Sequence, residues 1–330
     1  MSGVPTVLET IEVQPSWKTN VSSSGEYVRA QSSFRHWITA EGSSGFTAEP
    51  GRYHLYVSLA CPWAHRTLIL RKLKGLEDII SVTVVDWLLE EHGWAFNGQR
   101  AGCAPDTVNS KVYLREVYQL ADPAYNGRIT VPVLWDKKER TIVNNESSEI
   151  IRMLNTEFNA FCQTEEQRNL DLYPADLRPE IDALNEWVYR DINNGVYKCG
   201  FATSQVAYDG SVINLFEALD KVELILSENR YLFGTLLTEA DIRLFTTLCN
   251  RKLQSVDYKN IWGFVRDIYQ TAGIGETVNF DHIVNHYYQS HRTINPNGIV
   301  PIGPHLDFNS VHERGKLAVD ATVGPTGISG

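Results

Sequence analysis

Between residues 54 and 76 a strand pattern, a cysteine, a proline and a helix pattern follow one another without a break. Residues 54–60 read HLYVSLA, rich in β-branched and aromatic side chains, and predict a strand. After Cys61 comes Pro62, which suits a first helical turn because its missing N–H breaks no helical bond. The segment AHRTLILRKLKGL then places Leu68, Leu70, Leu73 and Leu76 at helical or near-helical spacing. A strand that ends where a helix begins puts Cys61 at the mouth of a helix N-terminus. Backbone N–H groups and the helix dipole there are expected to stabilise a thiolate and lower the thiol pKa. The plain alternative is a buried core cysteine, since unreactive thiols pack as small hydrophobes; the strand–Cys–Pro–helix junction favours the reactive reading. Ala64 stands where a second cysteine would close a disulfide with Cys61. The site therefore works with one sulfur and takes a second from a small thiol.

The 330 residues suffice for two domains. A net charge of -10 argues against nucleic acid and against an anionic membrane surface, both of which call for basic patches. The five cysteines, Cys61, Cys103, Cys162, Cys199 and Cys249, are widely spaced and odd in number, with no C-x-x-C pair. A zinc site or a secreted disulfide framework is not expected from them. The first residues show no basic start followed by an apolar run, and no stretch reaches the length of a membrane span. A reducing, cytoplasmic setting is expected, which keeps Cys61 available. Fifteen Tyr and eight Trp suit flat aromatic ligands, and they suit core packing equally.

Residues 1–50 are rich in Ser, Gly and Thr and predict an extended arm docked through Phe34, Trp37 and Phe46. Residues 51–157 follow the order β-α-β-α-β-β-α, that of a thioredoxin-like domain, with strands over 80–89, 130–136 and 141–144 and helices after Cys61, over 111–121 and from Glu146 on. Residues 170–295 carry helical apolar spacing broken by Gly, Asn and Pro, and predict an all-α domain. LTEAD within it has the Thr and acids of a helix start. Residues 296–330 are Gly- and Pro-rich and predict an irregular tail.

Three further segments fit a site for glutathione. In Thr130-Val131-Pro132-Val133 the proline is either a cis residue, which would turn the Val131 N–H and C=O toward a bound peptide, or a trans edge-strand proline. Glu146-Ser147-Ser148 stands at a helix start, where N–H groups and a hydroxyl bind a carboxylate and Glu146 takes an ammonium. Those two charges match a γ-glutamyl group, although a helix cap beside a solvated Glu reads the same way. Arg128 could pair with a glycyl carboxylate beside a wall formed by Trp94; taken singly, a surface charge and a core aromatic are the commoner readings.

Taken together these residues resemble the glutathione transferase superfamily. RYHLYVSLACPWAHRTLILRKLKGLED, GRITVPVLWD, TIVNNESSEIIRMLN, INNGVYKCGFA and YYQSHRTINPNGIVPIGP resemble, more narrowly, the glutathionyl-hydroquinone reductases, or Xi-class transferases. The resemblance runs from about residue 30 to 305. It implies the glutathione transferase fold: an α/β thioredoxin-like N-terminal domain followed by an all-α C-terminal domain. It implies catalysis by Cys61, with glutathione as co-substrate bound by Trp94, Arg128, Val131, Glu146 and Ser147, and neither metal nor nucleotide. Tyr197 and Tyr287 would line the pocket for a glutathionylated aromatic, with Tyr288 as a neighbour, and the assembly would be a homodimer. An Omega-like cysteine transferase acting on glutathionyl-ketones, mixed disulfides or dehydroascorbate is the rival within enzymes. A glutathione-binding scaffold is the rival outside them. One departure stands out. After LTEADIRLFTTL the relatives carry about a dozen further residues, whereas this chain passes directly to CNRKLQSVDYKN. That puts the usual dimer contacts and pocket shape in doubt.

Overall fold

The computed structural model describes residues 21–249, 258–303 and 306–318. The arm contributes β1 (Ile38–Thr39) and β2 (Phe46–Thr47), a short parallel pair. Phe34 packs edge-on against Tyr118, ring centroids 5.7 Å apart, and Phe34, Trp37 and Phe46 all lie against the core. Ser32 and Arg35 reach across to Glu146 and Glu149, so the arm lies over the start of a later helix.

The α/β unit runs β3 (Tyr53–Val57), α1 (Pro62–Leu73), β4 (Ser81–Val84), α2 (Leu114–Ala121), β5 (Val133–Asp136), β6 (Thr141–Asn144) and α3 (Ser147–Thr156). Its sheet has the order β4-β3-β5-β6. β3 is parallel to β4 and antiparallel to β5, and β5 is antiparallel to β6. Every residue of β3 and β5 is buried, as central strands covered on both faces require. Several boundaries differ from the sequence expectation: the strand expected over 54–60 is Tyr53–Val57, and the one expected over 130–136 starts at Val133, after the cis Val131-Pro132 bond. The strand expected over 80–89 stops at Val84, because buried Asp86 folds the chain back by accepting from the Leu88 N–H at 2.9 Å and from Asn97 Nδ2 at 2.5 Å. The helix expected over 111–121 starts at Leu114, where the Glu116 carboxylate takes the N–H groups of Val112 and Tyr113 at 3.0 and 2.8 Å.

The helical part follows: α4 (Glu165–Asn169), α5 (Arg178–Trp187), α6 (Gly195–Gly200), α7 (Gln205–Glu228), α8 (Glu239–Cys249), α9 (Lys259–Gln270) and α10 (Phe280–Gln289). A π-helical turn, Val188–Asn193, joins α5 to α6, with the Asn194 N–H donating to the Tyr189 carbonyl at 2.8 Å. α8 opens as LTEAD predicts. The Asp241 carboxylate accepts from the Thr238 N–H and hydroxyl and from the Leu232 N–H, at 2.8, 2.9 and 2.8 Å. After α10 the described residues are irregular apart from a 3₁₀ turn at Arg314–Ala318. The expected shortening at the passage from LFTTL to CNRKL leads into residues 250–257, which lie outside the described residues.

α1 joins the two parts. It packs against α3 on one side and α8 on the other. Ala64, Leu68, Ile69 and Leu70 are buried, each large apolar side chain contributing roughly 1.5–3 kcal/mol. Because both sides are covered, the polar residues His65, Arg66 and Thr67 are buried as well. The mouth of α1, with Cys61, therefore opens between the sheet and the helices. No helix among the described residues is long and apolar enough to cross a membrane.

Candidate active site

Cys61 is the N-cap of α1, with extended backbone and Pro62 in the first turn. Its thiol donates to the Val131 carbonyl, 3.6 Å away. Burial pushes the thiol above its ordinary pKa; the N–H groups of Ala64 and Trp63, and then the charges of Arg29 and Arg66, pull the other way without overcoming it. The expectation of a lowered pKa is thereby corrected. The helix N-terminus is present, but for this partly buried sulfur at the cavity wall desolvation of the anion outweighs what two N–H groups and two cations return.

Val131-Pro132 is a cis peptide, which resolves the alternative left open by the sequence. The approach to it is held by Tyr118, whose hydroxyl donates to the Thr130 carbonyl at 2.9 Å and accepts from Asn145 Nδ2 at 3.0 Å. Glu146 is the N-cap of α3 and Ser147 its first residue. The Glu146 carboxylate accepts from the Ser148 N–H at 3.1 Å, the Ser148 hydroxyl at 2.9 Å and the Ser32 hydroxyl at 3.0 Å. Burial works to raise its pKa, but these bonds and the charge of Arg66 hold it below the ordinary value. Glu146 is thus both the helix cap and an anion beside the cavity. Arg128 is half-buried with no hydrogen-bond partner for Nε, and Trp94 stacks on His286 with centroids 5.2 Å apart.

The helical side contributes a pair of phenols. Tyr197 Oη and Tyr287 Oη lie 3.0 Å apart, joining α6 to α10. Tyr197 also stacks on Trp63, Tyr27 and Phe201. Beside them His286 donates from Nδ1 to the Trp87 carbonyl at 2.7 Å, and burial pushes its pKa down to about 4, so the ring is neutral at pH 7. Tyr288, the neighbour considered with Tyr287, is exposed and does not line the cavity.

Cys61, Trp94, Arg128, Val131, Glu146, Ser147, Tyr197 and Tyr287 all line one cavity of ≈ 450 Å³, within the size range of small-molecule sites. Sequence reasoning missed Tyr27, Arg29 and Ser32 from the arm, and Trp63 and Arg66 from α1. Arg66 had no clear signal, since it stands between His65 and Thr67 in a helix that also carries Arg71 and Lys72. Its guanidinium is buried, lies 4.5 Å from the Trp63 ring, and donates to Ser147 Oγ at 3.4 Å and Asn193 Oδ1 at 3.0 Å. Burial, then the nearby Arg243, push its pKa down to about 9. The arm residues carry no local signal, since only long-range folding brings them here. Among the described residues no group of three or more His, Cys, Asp and Glu could hold a metal ion.

A cysteine at a helix mouth, a cis-proline loop and a capped helix start on a thioredoxin-like sheet, closed by helices, define the architecture of a glutathione transferase. The family described as "Glutathione S-transferase, N-terminal domain" matches residues 60–157, and "Glutathione S-transferase, C-terminal domain" matches residues 205–248. The chain is 54% identical to glutathionyl-hydroquinone reductase YqjG of Escherichia coli, covering 90% of this chain and 95% of that one. It is 47% identical to glutathionyl-hydroquinone reductase PcpF of Sphingobium chlorophenolicum, covering 87% and 93%. The glutathione-bound structure of YqjG superposes with a TM-score of 0.82 over 86% of this chain and 96% of that chain, at 55% identity. Glutathione S-transferase Xi from Phanerochaete chrysosporium gives 0.83 at 49% identity, covering 86% and 94%. The chain belongs to the glutathione transferase family, in its glutathionyl-hydroquinone reductase, or Xi, branch.

Proposed function

We propose that this chain reduces glutathionyl-hydroquinones to hydroquinones, with glutathione as co-substrate and Cys61 as nucleophile. The observation that carries the reading is the convergence of Cys61, the cis Val131-Pro132 loop, the Glu146–Ser147 helix start and the Tyr197–Tyr287 pair on one cavity. The peptide part of the substrate lies along Val131 as an added strand, its γ-glutamyl carboxylate on the N–H groups and hydroxyl at Ser147 and its ammonium on Glu146. Arg128 takes the glycyl carboxylate beside Trp94. The aromatic ring points to Tyr197 and Tyr287.

Cys61 attacks the glutathione sulfur and the sulfur–carbon bond breaks, so that the ring carbon ends with hydrogen in place of sulfur and Cys61 is left in a mixed disulfide with glutathione. A second glutathione thiolate attacks that disulfide, frees Cys61 and leaves as oxidised glutathione. The Ala64 and Trp63 N–H groups and the cations of Arg29 and Arg66 support the thiolate against burial, in the attack and again when Cys61 departs from the disulfide. A reducing cytoplasm suits this cycle, and a homodimer belongs to the same reading, tested by sedimentation velocity. The test of function is steady-state turnover with glutathione of a glutathionyl-hydroquinone. A protein that binds glutathione yet releases no hydroquinone ends the reading.

A further inference from the structure

Two asparagines in the NNG segment each hold an arginine against the same indole. Asn193 Oδ1 accepts from Arg66 Nη2 at 3.0 Å, and Asn194 Oδ1 accepts from Arg29 Nε at 2.6 Å. The guanidinium carbons lie 4.5 and 4.8 Å from the Trp63 ring. The two cations differ in what they face. Arg66 lies behind the site, donating to Ser147 and to backbone. Arg29 lines the cavity, 4.4 Å from the Tyr197 ring and 5.4 Å from the Tyr27 ring. Its Nη2 is buried with no hydrogen-bond partner, and among the described residues no carboxylate forms an ion pair with it. A guanidinium is charged throughout the physiological range, and three aromatic rings packed against it leave it partly buried, with less water to screen it. The arrangement is a fixed cation in the aromatic wall of the cavity, with a donor left for an anion that the chain does not supply.

We propose that Arg29 is a catalytic residue that stabilises the oxyanion formed on the aromatic ring as it leaves glutathione. The inference rests on the reductase reading. In the keto tautomer of a glutathionyl-hydroquinone, the phenolic proton has moved from oxygen to the carbon that bears sulfur. The Cys61 thiolate then attacks that sulfur, and the Cys61–sulfur bond forms as the sulfur–carbon bond breaks. The released pair becomes the ring double bond, and the adjacent carbonyl oxygen becomes a phenolate. The ring carbon keeps its hydrogen, so the ring is reduced and the two sulfurs are oxidised to a disulfide. The phenolate takes the proton released when the second glutathione becomes a thiolate. The only new charge outside sulfur appears on that oxygen, and Arg29, in the same cavity wall as the Tyr197 ring, meets it. A small mixed disulfide releases a thiolate instead and has no such oxygen.

The test compares wild type, Arg29→Gln and Arg29→Lys on a glutathionyl-hydroquinone and on the mixed disulfide of glutathione with mercaptoethanol. Thermal melting and calorimetric glutathione affinity are measured alongside. For Arg29→Gln the expected result is a loss of roughly 100-fold in kcat on the hydroquinone, the size of a lost oxyanion donor. The disulfide substrate should lose no more than about tenfold, through the weaker field on Cys61, with glutathione affinity unchanged, and Arg29→Lys should recover part of the hydroquinone rate. Equal losses on both substrates overturn the proposal and leave Arg29 acting on Cys61 alone. A fall in glutathione affinity overturns it in favour of a peptide-carboxylate ligand. Absence of hydroquinone turnover by the wild type overturns the reductase reading together with this inference, whereas normal wild-type turnover with unselective variants overturns the inference only.

Discussion

The wall of the cavity that carries Cys61, Val131, Glu146 and Ser147 is made of element ends: the start of α1, the loop before β5 and the start of α3. The wall that carries Tyr27, Arg29, Tyr197 and Tyr287 is made of side chains gathered from the arm, α6 and α10. On the first wall backbone groups do much of the recognition. Their positions follow from where strands stop and helices start, so a few residues fix the geometry. On the second wall rings and a guanidinium set each other's positions by stacking and by the Tyr197–Tyr287 contact. The proposed division of labour follows: the first wall holds what every substrate shares, and the second meets what differs. Substitutions on the first should act alike on all glutathionylated substrates, and those on the second should discriminate among them.

Cys61 stands on the first wall and reacts with the sulfur that every substrate shares, so its loss should be the largest effect and should not discriminate. Cys61→Ser is expected to lower turnover on glutathionyl-hydroquinones and on small mixed disulfides alike by roughly a thousandfold or more, because a serine hydroxyl ionises far less readily than a thiol and cannot form the disulfide. Calorimetric glutathione affinity should stay within a few-fold of wild type. Turnover near the wild-type level would end the mechanism.

Glu146→Ala comes next. Removing the carboxylate leaves the γ-glutamyl ammonium unpaired in a largely buried place, and glutathione binding should weaken by roughly 2–5 kcal/mol. The loss should be the same whichever aromatic group is attached, measured as the change in KM for glutathionyl-hydroquinone and for a mixed disulfide. A substrate-dependent loss would break the division between the walls, and an unchanged affinity would leave Glu146 as the cap of α3 alone. That cap is itself worth about 1 kcal/mol, so thermal melting separates the two roles.

The unequal construction also explains what the sequence made legible. Cys61-Pro62, Val131-Pro132 and Glu146-Ser147 are each contiguous, and each marks a change of backbone direction, so local patterns pointed to them before any folding was known. The order of strands and helices along the α/β unit was readable for the same reason. Arg29 is different: an arginine in a Ser-rich arm looks like any solvated charge until Asn194, more than a hundred residues on, is seen to hold it. Tyr197 and Tyr287 were found only through the resemblance of INNGVYKCGFA and YYQSH to a family, since a tyrosine alone more often packs. The thiol pKa went wrong for a related reason. The helix N-terminus is local and visible in sequence, whereas the enclosure that outweighs it is tertiary.

That competition sets the pH dependence. A thiol whose native pKa is raised favours the protonated form in the folded state. Any stability it contributes is present below the unfolded thiol pKa and is lost as pH rises through the native one. Reactivity follows the thiolate, so iodoacetamide labelling of Cys61 should still be rising above pH 8.5, the ordinary thiol value, and should drop about tenfold per unit well below it. Mass spectrometry of the Cys61 peptide checks this in a chain with four other free cysteines, two of them buried. A plateau reached below pH 8 would mean that the N–H groups of Trp63 and Ala64 and the two arginines prevail over burial after all.

The smallest expected effects lie in the phenol pair, and they probe the discriminating wall most finely. Tyr197→Phe and Tyr287→Phe each keep the stacked ring and remove one hydroxyl. Each leaves its partner without the 3.0 Å contact. If the pair donates to the ring oxygen, each substitution should cost about 0.5–1.5 kcal/mol in transition-state stabilisation on glutathionyl-hydroquinones, roughly two- to tenfold in kcat/KM. The mixed-disulfide rate should hold. Because the hydroxyls touch, their effects should not add: the double variant should fall no further than the worse single one by more than about twofold. Equal losses on both substrates would make the pair a strut between α6 and α10 instead. Additive losses confined to the hydroquinone would show that the two hydroxyls meet separate oxygens of the ring, and would fix its orientation with one oxygen at each phenol.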